Sequence, residues 1–156
     1  KGHAKFSNWA LDHFVDTKSP WDAEHPAKGY ATYSGANDPE LLQKSVTLSQ
    51  KAIDIGFKGG ESLLYLTHAM VQTRLKHYDQ AQIWLQATYD NSKDPIIHLH
   101  VHAYTALNQI AQGNNQAAKE ALQKAKETHP KVPESRWQDR LIAELAIQEA
   151  QDLLKK

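Results

Sequence analysis

The residues best equipped for chemistry stand in "PIIHLHVHAY", residues 95–104, where His98, His100 and His102 alternate with apolar neighbours. What they could do depends on the backbone. On a strand, side chains repeat every two residues, so the three imidazoles would share one face, a set able to bind zinc, nickel or copper. On a helix only His98 and His102 share a face, and His100 points roughly the opposite way. An i,i+4 pair holds a metal tightly only with a completed ligand set, for which His68 or His100 is the candidate. The competing reading has His102 filling a packing site, its ring bonded to a backbone carbonyl, with His98 and His100 solvated. For acid–base work, Glu61, His68 and Asp79, or Asp12 and His13, are the available groups. Nothing in their spacing ties them together. No Gly-rich phosphate loop, Gly-x-Ser-x-Gly or His-Glu-x-x-His is present, so scattered helical carboxylates read as solvated faces and the chain as non-enzymatic.

The backbone around the histidines is helical. Asp94-Pro95 supplies an N-cap and a proline at the first helical position, and Gly113 closes the segment. The same start recurs at Asp38-Pro39, followed by Leu41, Ser45, Leu48, Ala52 and Ile55 on one face and by Gly56 as a C-terminal glycine. Further helices are expected over "ESLLYLTHAMVQTRLK", over "YDQAQIWLQATYD" with Asp79 and Gln82 as a capping box, over "NQAAKEALQKAKET", and over "RWQDRLIAELAIQEAQDLLKK" with Ser135 and Gln138 as a second box. Short loops make successive helices antiparallel hairpins. Upstream, "FSNWALDHFV" predicts a helix through Phe6, Ala10 and Phe14, with Trp9 on a flanking face. Residues 17–37, with two prolines, two glycines and three large aromatic rings, show no period and read as an ordered loop whose rings pack on the rest.

Composition narrows the partners. Hydrophobic residues at 40% and charged residues at 23% suit one soluble globular domain. Eighteen basic and eighteen acidic side chains are spread evenly, four of each in residues 1–37, so no stripe for nucleic acid and no polybasic membrane segment is expected. Without cysteine there are no disulfides or thiol chemistry, and the compartment stays open. Beginning at Lys1 without an initiator methionine, the sequence reads as a processed form or an excised piece from which any signal peptide is gone.

Two hairpins superimpose at an offset of 37 residues: Tyr65 on His102, Ala69 on Ala106, Ala81 on Ala118, Leu85 on Leu122 and Thr88 on Ala125. Small residues recur where helices must approach closely and large ones where a hairpin is filled. This pattern resembles the tetratricopeptide repeat, over residues 38–156 and most closely over 62–130. Residues 99–130 carry His102, Ala106, Gly113, Ala118, Leu122, Ala125 and Pro130. Residues 62–95 carry Tyr65, Ala69, Tyr78, Ala81, Leu85 and Thr88, with Pro95 two places late. Two departures stand out: His102 replaces a large apolar residue, and the offset exceeds the family's repeat of about 34 residues.

The resemblance implies an all-α fold, a short right-handed α-solenoid of helical hairpins. Residues 1–37 would form an N-terminal helix and aromatic loop packed on the repeats, and residues 38–156 the repeat domain with a C-terminal capping helix, all in one structural domain. It also implies a non-catalytic protein–protein interaction module, without cofactor, that binds a peptide or partner helix in an apolar concave groove. The groove would be lined by Leu63, Leu66, Thr67, Met70, Arg74, His100, Ala103, Tyr104 and Leu107. The family's cationic carboxylate clamp is not matched, since Arg74 is the only cation among these. The groove is therefore either open to a hydrophobic partner or already covered by residues 1–37 or the last helix. A histidine-based metal-binding protein and a self-associating helical module, a homo-oligomer, are the alternatives.

Overall fold

The computed structural model describes residues 2–33 and 35–155; Lys1, Ser34 and Lys156 lie outside the described residues. The fold is all-α. Among the described residues eight α-helices follow one another: α1 (Gly2–His13), α2 (Pro20–Ala31), α3 (Pro39–Ile55), α4 (Glu61–Arg74), α5 (Tyr78–Asp90), α6 (Pro95–Ala111), α7 (Asn115–Thr128) and α8 (Trp137–Leu153). Two single turns of 3₁₀-helix bridge α7 and α8, and no strand occurs among the described residues. "PIIHLHVHAY" is therefore helical.

The start signals at Asp38 and Asp94 act as expected. Asp38 accepts from the backbone N–H of Glu40 and Leu41, and Asp94 from that of Ile96, each followed by proline at the first helical position. The two capping boxes are corrected. His77 caps α5 and Arg136 caps α8, neither through its side chain, which places Asp79 inside the first turn of α5 and Ser135 in a 3₁₀ turn.

The largest correction concerns residues 17–37. Much of the expected loop is α2, opened by Ser19, whose Oγ accepts from Asp22 N–H, and by Pro20. Pro26 sits inside it and lacks the N–H that would bond Asp22, a penalty that local propensity does not offset. Packing does: Ala23, Ala27, Tyr30 and Ala31 recur at helical spacing and are all buried. Tyr30 reaches further and accepts from Asp38 N–H at the start of α3. On α1 the buried face is Ser7, Ala10 and Leu11, whereas Phe6, expected inside, is 68% exposed.

The most extensive helix contacts join α2 to α3, α4 to α5 and α6 to α7, so α2 rather than α1 is the hairpin partner of α3. Hairpins then lean on one another through α3 with α4 and α5 with α6, and α8 lies against α6. Two bonds fix the direction of α2 on α4. Thr67 donates to Glu24, and Arg74 Nε donates to Ala31 O; both link residues 43 apart, so the helices run parallel. Ala69, Ala81, Ala106, Ala118 and Ala125 are all fully buried, where a side chain longer than a methyl group would push helices apart.

The 37-residue offset reappears in the turns. After α6, Gly113 N–H donates to Ile110 O and Asn114 N–H to Gln109 O, with Gly113 at φ 79°. After α4, Lys76 N–H donates to Thr73 O and His77 N–H to Gln72 O, with Lys76 at φ 65°. Both are the same helix-terminating motif, which requires a left-handed residue that glycine adopts freely and lysine only with strain.

Candidate functional site

The expected groove is filled by the chain itself. Leu66, Thr67, Met70, His100, Ala103, Tyr104 and Leu107 are buried, and Leu63 is half-buried. Two helices close it. α2, with Ala23 and Ala27 fully buried, packs on α4, and α8 brings Ala143, Ala146 and Ala150 into the core. Small side chains let both helices sit close over the apolar row.

Polar locks hold the seal. The Arg74 guanidinium, 8% exposed, makes a bidentate pair with Glu149 of α8 at 2.6 and 2.8 Å while its Nε bonds Ala31 O on α2. One side chain thus ties together α2, α4 and α8. Tyr104 lies beside the pair, and burial pushes its phenol up to about 12. Glu24 of α2 is buried with one oxygen on Thr67 and Lys28 3.7 Å away. Arg74, the one cation expected to meet a ligand, is therefore a structural clamp. The sequence signal for this was present in Glu149, a carboxylate among the alanines of α8, but its partner 75 residues away was not legible.

The histidines separate as a helix demands. His100, expected to be solvated, is the most enclosed of the three. Burial, followed by the positive charge of Lys28, lowers its pKa to about 4, and its Nδ1 has no hydrogen-bond partner among the described residues. His98 and His102 flank Tyr89. The His98 ring stacks on it at 4.2 Å, and its Nε2–H donates to the carbonyl oxygen of Ser92. His102 is half-buried, and burial lowers its pKa to about 4. His68 is taken up elsewhere. Ser49 Oγ donates to Val46 O and so accepts from His68 Nδ1–H, which leaves Nε2 to accept from Gln72. Both ring nitrogens are spent on this neutral tautomer, and burial lowers the pKa to about 4. No group of three or more His, Asp or Glu side chains able to hold a metal occurs among the described residues. The acid–base candidates are also dispersed: Asp12 pairs with Lys44 at 2.7 Å, His13 stacks on Trp9, Glu61 accepts from Gly59 N–H, and Asp79 is exposed.

The surface that sequence reasoning missed is the outer face of α8. The spread of apolar residues around this helix suggests packing by several neighbours. Its small residues face the core instead, while Trp137, Leu141 and Leu145, spaced by four, are 60%, 48% and 55% exposed. Beside this stripe, a cleft of about 710 Å³ runs between α7 and α8, lined by Leu122, Ala125, Ile147 and Glu144. Four-residue spacing was visible in the sequence; which side of α8 faced inward was not. No family model, curated protein or solved structure matches this chain.

Proposed function

We propose that this chain is a non-catalytic protein–protein interaction module, built as a short tetratricopeptide-like solenoid, and that its docking surface is the outer face of α8 with the adjoining α7–α8 cleft. Three hairpins in sequence, the parallel run of α2 and α4, and the duplicated turns at Lys76 and Gly113 support the repeat reading. The observation that carries the docking reading is the exposed row Trp137, Leu141 and Leu145. In the preceding hairpins α3 covers α2, α5 covers α4 and α7 covers α6; among the described residues no helix covers α8. A stripe of this kind takes the apolar face of another helix, read by anchors three and four residues apart.

Panning the protein against a displayed library of amphipathic helices tests this reading. Enrichment of helices with anchors at i, i+3, i+4 and i+7 is expected, and its loss in the Leu141→Glu, Leu145→Glu variant at unchanged helicity. Equal enrichment by wild type and variant means that the stripe is not the docking surface.

A further inference from the structure

The α4–α5 and α6–α7 hairpins superimpose in sequence, yet they differ where three large rings stand in the first. At the offset of 37 residues, Tyr65 corresponds to His102, His68 to Thr105 and Trp84 to Ala121. In the α4–α5 hairpin these places are filled ring on ring. Tyr65 and His68 lie 5.3 and 5.1 Å from Trp84, and His68 is further fastened to Ser49 of α3 and to Gln72. In the α6–α7 hairpin an imidazole, a hydroxyl and a methyl group stand there instead. A cleft of about 480 Å³, with His102 and Thr105 in its lining, lies between α5, α6 and α7. Its volume falls within the range of about 300–1,000 Å³ usual for small-molecule sites. It shares no lining residue with the α7–α8 cleft.

The lining selects the ligand. Gln82 of α5 has its Oε1 buried with no hydrogen-bond partner among the described residues. The His102 ring centre lies 5.7 Å from that of Tyr89, but its nitrogens have no hydrogen-bond partner among the described residues. Kept neutral chiefly by its burial, the ring offers one N–H and one lone pair. The Thr105 hydroxyl can likewise donate and accept. An apolar ligand would leave these groups unsatisfied, whereas a ligand rich in hydroxyls meets donor and acceptor alike. Charge sets the rest. Lys124 and Lys131, both exposed, face the cleft with the Glu127 carboxylate, one oxygen of which already accepts from Gln123. The lining is therefore positive on balance and favours an anion. We propose that this cleft binds an anionic polyol, a hydroxylated ring or chain that carries a carboxylate or a phosphate. Its hydroxyls meet Gln82, His102 and Thr105, and its charged group meets Lys124 and Lys131.

Titration of isotope-labelled protein, followed by its backbone amide chemical shifts, tests the proposal with glucose 6-phosphate, glucuronate, glucose and inorganic phosphate as probes. Saturable shifts in residues 82–89, 101–105 and 124–131 are expected with one or both anionic polyols, at dissociation constants of about 0.1–1 mM. Which of the two binds tells phosphate from carboxylate. Glucose and inorganic phosphate should each bind at least about tenfold more weakly, since one lacks the charge and the other the hydroxyls. His102→Tyr refills the cleft as Tyr65 fills its own hairpin and should abolish the shifts. Lys124→Gln, at an exposed position, should keep wild-type helicity and weaken binding of the anionic polyol at least about threefold. No saturable shift with either anionic polyol overturns the proposal. Glucose or inorganic phosphate binding as tightly as the anionic polyols also overturns it, because the charge or the hydroxyls then go unread. So does binding that persists in His102→Tyr or is unchanged in Lys124→Gln, which places the probe elsewhere.

Discussion

Leucines on two surfaces of this protein have opposite outcomes. Leu66 of α4 and Leu107 of α6 are sealed beneath α2 and α8, whereas Leu141 and Leu145 of α8 face outward. Side-chain hydrophobicity is the same in both places. The inner row is covered because Ala23, Ala27, Ala143 and Ala146 let helices come close, and because the Arg74–Glu149 pair with Ala31 O fastens them there. The outer row has no such neighbour among the described residues. An apolar stripe thus marks a contact surface, and the small residues and polar locks opposite decide whether the contact is internal.

The sharpest way to break this comparison is to charge both rows. Leu66→Glu with Leu107→Glu buries two carboxylates without partners and should cost more than about 5 kcal/mol, enough to unfold a domain of ordinary stability. Leu141→Glu with Leu145→Glu should shift stability by only about 0.5 kcal/mol. Circular dichroism with urea titration reads both, and similar effects in the two variants would erase the distinction between inner and outer rows.

Arg74→Ala isolates the lock from the apolar seal. It leaves Glu149 and Ala31 O without their partner and should destabilise by about 2–4 kcal/mol. A loss below about 1 kcal/mol would assign the seal to the alanines alone.

Acid probes the inner face through its histidines. His68 and His100 are neutral in the fold because burial holds each near pKa 4, against an ordinary value of 6.5. Between these values the unfolded chain binds more protons, so stability falls as pH drops from 6.5 towards 4, by up to about 1.4 kcal/mol per pH unit for each histidine. His100→Gln should flatten the profile of urea midpoint against pH, and an unchanged slope would mean that His100 is not held neutral. The smallest effect lies outside both rows. Lys76→Gly relieves the left-handed backbone between α4 and α5 and should stabilise by about 0.5–1 kcal/mol in the same titration.

Much of the inner architecture was legible because its cues are local. Asp38-Pro39 and Asp94-Pro95 start helices through the side chain of one residue and the fixed φ of the next, and Gly113 ends one through its own backbone freedom. Residues 17–37 were misread because Pro26 and Gly29 break the usual helix cues, although Ala23, Ala27, Tyr30 and Ala31 already held the period. The row from Leu63 to Leu107 reads in the sequence as a partner-binding groove, because spacing says nothing about which helix of the chain itself lies on it.

The order of residues by itself determined that the chain is helical, where most helices begin and end, and which alanines must sit at close crossings, since each of these follows from backbone preferences and spacing within a few turns. Only the tertiary structure decided that α2 and α8 close the inner face, that Arg74 finds Glu149, that His100 is enclosed, and that the row on α8 is left outside. Those outcomes depend on pairings between residues 43 to 75 positions apart, and pairings over such distances are set by the packing of whole helices rather than by any local pattern.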